Sequence, residues 1–170
     1  MKYKLTKKDG KTHGGMKWGV GVTHTIRRKG NVLCSGEVIH NYDDPYLAIL
    51  MNPIQGNFNE ATMLLWEGDD HGTQVATDGT KNGCKRFTTL SQIPLPDFPQ
   101  EKRVEVAIHL ALQLYPDKAF RKWAMDWLDG KDRTAESAAW YASFAAWYAS
   151  SAGLGEGILL ETIYAVTEGL

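Results

Sequence analysis

Three prolines fall within residues 93–99, Ile-Pro-Leu-Pro-Asp-Phe-Pro, and no regular element can run through them. Each proline removes a backbone donor and fixes φ, and the residue before it is pushed out of the helical region. The patterning also changes there. Before the link, apolar residues recur with period two; after it they recur every three to four positions. The chain therefore reads as α+β: a small, mostly antiparallel sheet from residues 1–92, then a helical bundle from residues 100–168. At 170 residues both parts are expected to form one domain.

In the first part, residues 2–6 alternate, and residues 17–26 are rich in β-formers. Arg27-Arg28-Lys29-Gly30-Asn31 reads as a basic turn, with residues 32–34 resuming the strand, so a hairpin is expected here. Residues 37–40, 63–66, 74–77 and 85–90 read as further strands, and residues 67–73 as a polar turn. Asp43-Asp44-Pro45 predicts a helix start, with an Asp as cap, Pro45 in the first turn and a body that stops before Pro53. In the second part, helices are expected over 100–115, over 117–128, from a cap at Asp132 or Thr134 to residue 152, and over 157–167.

The third of these helices carries a word written twice. Residues 138–143 and 145–150 both read Ala-Ala-Trp-Tyr-Ala-Ser. The offset of seven residues is two helical turns, so each residue lands near its copy. The result is an alanine stripe opposed by Trp140 and Trp147, with Tyr141 and Tyr148 at its edge. No charge occurs between residues 137 and 155, so such a helix must be covered nearly all round. Its cover is either this chain's own core or a contact with a partner or a second copy of the chain. The run approaches membrane-spanning length, yet Ala and Ser supply little transfer energy, and no membrane role is expected.

Net charge is −1, but residues 1–30 carry nine Lys or Arg against one Asp, and residues 134–170 carry four Glu and no Lys or Arg. The basic end is interleaved with aromatics, and Lys17, Trp18, Arg27, Arg28 and Lys29 form its candidate binding surface, suited to nucleic acid or a nucleoprotein. The near-neutral total argues against mimicry of a DNA duplex. Two cysteines, Cys34 and Cys84, are too few for a disulfide framework, and the lysine-rich start has no apolar segment of a signal peptide. A cytoplasmic location is expected. Five scattered histidines show no metal-ligand spacing, so neither metal nor cofactor is expected. Glycine-rich stretches at 18–21 and 153–157 lack the strand–loop–helix setting of a phosphate loop.

Residues 33–54, with Leu65-Trp-Glu67 and Lys81-x-Gly-Cys84 after them, look like a group of small bacteriophage and prophage proteins. Trp123-Ala-x-x-Trp-Leu-x-Gly-x-Asp-Arg-Thr134 and the alanine-rich helix are similar too. The resemblance implies a phage-encoded inhibitor, working in the host bacterial cytoplasm. It would bind and block host antiviral machinery stoichiometrically, as an anti-CRISPR or other anti-defence protein, with a host defence protein or nucleoprotein complex as partner. A second likeness is to the strand–helix start of ADP-ribosyltransferase-like folds, carried by His40-x-Tyr42 and the short helix that follows. It implies a small enzyme with His40, Tyr42 and Glu67 as candidate catalytic residues. A nucleic-acid or nucleotide-binding module is the third reading.

Overall fold

A computed structural model describes residues 1–114, 117–131, 133 and 156–167. The chain divides into two compact units, Met1–Pro96 and Asp97–Leu170. The architecture is broadly α+β, with antiparallel sheets in the first part and helices in the second. The repeated word and its expected helix lie outside the described residues.

The first unit contains β1 (Lys2–Thr6), β2 (Thr23–Thr25), β3 (Ile39–Asn41), α1 (Pro45–Met51), β4 (Leu64–Asp69), β5 (Gln74–Thr77), β6 (Asn82–Cys84) and β7 (Arg86–Ile93). These strands make two sheets rather than the one expected, in the orders β1-β4-β7-β2 and β3-β6-β5. Tyr3 and Tyr42 join β1 to the chain after β3 by exchanging two backbone hydrogen bonds of 2.8 Å each. The central strand β4 buries both Leu65 and Trp66. Neighbours on a strand point to opposite faces, so this sheet is covered on both sides. Trp18, Ile39, Trp66, Cys84 and Phe87 form one buried cluster, each large side chain contributing roughly 1.5–3 kcal/mol by leaving water.

Helix α1 starts as the sequence predicts. The Asp44 carboxylate accepts from the N–H groups of Tyr46 (2.8 Å) and Leu47 (3.0 Å), and Pro45 occupies the first turn. The chain does not stop before Pro53. It continues through one π turn, Asn52–Gly56, in whose first turn Pro53 needs no N–H partner.

Two local expectations are corrected. Residues 32–34 form no strand, and the basic segment is not a hairpin turn. Strand β2 pairs instead with β7, Thr23 opposite Thr88 and Thr25 opposite Arg86. The segment is tied down by Lys85, whose ammonium donates to the carbonyls of Arg28 (3.0 Å), Gly30 and Glu37 (2.7 Å). Likewise Glu67 and Gly68 belong to β4 rather than to a turn, because β4 is paired on both edges: Glu67 lies opposite Tyr3 of β1 and Ser91 of β7. The turn proper is the short link after Asp69.

The second unit contains α2 (Gln100–Leu114), α3 (Lys118–Leu128) and α4 (Glu156–Thr167). Helix α2 packs against both α3 and α4. Asp117 caps α3 by accepting from the Phe120 N–H at 2.7 Å. The α2–α3 core consists of Ile108, Ala111, Phe120, Ala124 and Trp127, spaced three and four apart as a packed helix face requires. Arg133 lies over the Trp127 ring at 5.0 Å and pairs with Glu101.

Candidate functional site

The first unit holds a cleft of about 890 Å³. Its walls come from β1, the loop that carries residues 12–16, the Lys85-tied segment, β3 and the π turn. Lys4, Arg27, Arg28 and Lys81 line it together with His13 and His40, and among the described residues its lining contains no Asp or Glu. A cleft with cations on its walls and no carboxylate concentrates anions by its field.

Lys4 is the unusual member. It is 6% exposed, at the middle of β1, and points inward because alternate residues of a strand share a face. Its ammonium donates to the His40 carbonyl at 2.8 Å and lies 4.9 Å from the centre of the Trp18 ring. No carboxylate pairs with it among the described residues. Burial drives its pKa down to about 8, so it still carries its charge at neutral pH. Lys81, also buried, meets Asp78 at 3.3 Å, which offsets part of its charge. Arg27 and Arg28 are exposed and have no carboxylate partner among the described residues.

His40 and Tyr42 both line the cleft. The His40 ring accepts the Cys34 N–H at Nε2, 2.9 Å away, so a neutral ring carries its proton on Nδ1. Burial, followed by the positive charges of Lys4 and Lys81, lowers its pKa to about 4. The Tyr42 hydroxyl donates to Gln55 Oε1 (3.2 Å), and the Gln55 amide donates to Thr80 (2.8 Å). Burial raises the Tyr42 pKa well above that of a free phenol. Neither group is poised to exchange a proton near neutral pH. Cys34, exposed and unbridged, sits in the left-handed region at φ 60°, an uncommon conformation for a residue with a side chain.

The residues singled out in the sequence fall in different places. Arg27 and Arg28 face the cleft, whereas Lys17 and Lys29 are exposed outside its lining. Trp18 is a core residue, 2% exposed, packed edge-on to Phe87 and His24. A ring so buried offers no face to a ligand, which corrects its assignment as a stacking residue. Glu67 accepts from Ser91 at 3.3 Å and does not line the cleft, so His40, Tyr42 and Glu67 are not brought to one site. Trp140, Tyr141, Trp147 and Tyr148 lie outside the described residues. Lys4, Lys81 and the His13–Phe58 pair were not singled out as a site. Lys4 reads as one more member of a basic end until the register of β1 turns it inward.

Among the described residues, no three His, Cys, Asp or Glu side chains converge as metal ligands, and no helix is long and apolar enough to cross a membrane. Comparison of the chain with family models, curated proteins and solved structures returns no match.

Proposed function

We propose that this protein acts by stoichiometric binding, as a phage-encoded inhibitor of host antiviral machinery, and that its cationic cleft engages a phosphate-bearing component of that machinery. One observation carries the reading: four Lys or Arg side chains and no carboxylate line a cleft of small-molecule size. Two of the cations, Arg27 and Arg28, have no carboxylate partner among the described residues and can pair with phosphate in a forked, two-bond geometry. Capture rather than turnover is favoured by the same groups. His40 is held neutral by burial and the nearby positive charges, with its Nε2 taken by the Cys34 N–H, and Tyr42 is committed to Gln55. In this reading the second unit is the helical bundle expected from the sequence and provides a protein-facing surface.

The test is calorimetric titration of the full chain with inorganic pyrophosphate at low and at moderate salt. Binding that weakens steeply with salt is expected. The double variant Arg27→Gln, Arg28→Gln should weaken it about tenfold, since two exposed cations contribute up to ~1 kcal/mol each. Pyrophosphate affinity unchanged in that variant removes the cleft from the reading. A pull-down from defence-expressing bacterial cells then tests the inhibitor role, which fails if no defence component is retained by the wild type.

A further inference from the structure

Besides its cations, the cleft carries a flat aromatic surface. The rings of His13 and Phe58 are parallel to within 8°, with centroids 4.8 Å apart, and both line the cleft. His13 is exposed and Phe58 half-buried, so the pair is not core. It is nevertheless held rigidly. His13 Nε2 donates to the Gly56 carbonyl. The side chain of Asn52, 1% exposed, clamps the Phe58 backbone from both sides, accepting from its N–H at 3.0 Å and donating to its carbonyl at 2.9 Å. Gly56 lets the Phe58 ring come close, because a Cβ there would lie 3.0 Å from it. Asn57 takes the left-handed conformation at φ 47° to complete the bend. A π turn, a buried asparagine clamp and a positive-φ residue thus present one exposed ring pair, an arrangement typical of functional rather than packing geometry.

Resting on the reading of the cleft as a phosphate site, we propose that its ligand is a nucleotide, with the base stacked on the His13–Phe58 pair and the phosphates held by Arg27 and Arg28 in the field of the buried Lys4 ammonium. The chemistry requires a planar ring at one end and two or more negative charges at the other. The cleft supplies a surface for each. At about 890 Å³ it suits a small molecule. Base–aromatic stacking tolerates any base, so the site selects for a nucleotide more than for its letter.

Calorimetry of the full chain with adenosine diphosphate, inorganic pyrophosphate and a single strand of about ten nucleotides tests this. Adenosine diphosphate should bind about tenfold more tightly than pyrophosphate, the size of one stacked base. His13→Ala should erase that advantage and leave pyrophosphate affinity unchanged, and His13→Tyr, which keeps a ring, should restore it. Equal affinity for the diphosphate and pyrophosphate, indifferent to His13→Ala, overturns the nucleotide assignment and leaves the phosphate reading standing. Failure of both to bind overturns the two together. A strand that binds at least tenfold more tightly than the mononucleotide assigns the cleft to a polymer and also overturns the proposal.

Discussion

Replacing Lys4 by Met should stabilise the protein at neutral pH, by an amount the surroundings of Lys4 determine. The amine is nearly inaccessible, and burial lowers its pKa from the ordinary 10.5 to about 8. At about 1.4 kcal/mol for each tenfold change in proton affinity, the folded state holds this proton roughly 3 kcal/mol less well than the unfolded state. The attraction of the Trp18 ring at 4.9 Å opposes that by about 0.5–2 kcal/mol. Methionine keeps most of the volume and has no charge to desolvate, so a gain of about 1–3 kcal/mol is expected near pH 7. The sign with pH follows from linkage. Between about pH 8 and 10.5 the unfolded chain binds this proton and the folded chain does not, so wild-type stability rises with pH there. Below about 8 both states are protonated and above 10.5 neither is, and the Lys4 contribution is flat. The advantage of Lys4→Met must therefore shrink through that window and vanish above it. Urea unfolding of both proteins across the window, followed by tryptophan fluorescence, measures the difference and cancels contributions from the second unit. A variant less stable than wild type at neutral pH, or a difference that does not move with pH, would refute the reasoning. The first result means that the Trp18 ring and the His40 carbonyl more than offset the desolvation of the ammonium, the second that they just balance it.

The same proton governs the cleft: pyrophosphate affinity should fall as pH rises through about 8 and should lose that step in Lys4→Met, as read by calorimetry in a pH series. Lys85→Met removes three hydrogen bonds to the carbonyls of residues 28, 30 and 37; faster hydrogen exchange over residues 26–38 is expected, with about tenfold weaker pyrophosphate binding if Arg27 and Arg28 lose their placement. Gly68→Ala would put a Cβ 2.6 Å from the Phe87 ring and against the Thr88 carbonyl, so thermal unfolding should report a loss of about 1–3 kcal/mol; β4 and β7 shift register between Glu67 and Gly68, and a neutral result would show that this irregularity can widen. Asp44→Ala should lower stability by about 1 kcal/mol in the same assay, since two N–H groups of α1 lose their acceptor.

What the amino-acid sequence determined by itself was local. The Asp44-Pro45 helix start, the onset of α3 near residue 117, the extent of β5 and the break at the proline-rich link all depend on residues within a turn of one another. Their chemistry acts whatever the rest of the chain does. The basic segment shows where that logic ends. Arg27-Arg28-Lys29-Gly30 has the composition of a hairpin turn, but β2 found its partner in β7, more than sixty residues on. The segment's carbonyls were then taken up by Lys85, which no local pattern could nominate. Trp18 likewise carries the marks of a surface stacking residue and lies in the core. The cleft is a wholly tertiary object. Lys4 faces it because β1 pairs with β4 in one register, Lys4 opposite Trp66, and a shift by one residue would have sent its charge to the other face. Its walls are drawn from positions 4 to 81, and the aromatic surface from positions 13 and 58. Strand register and long-range pairing are decided by the free energy of the whole core, to which each short stretch of sequence contributes only a part.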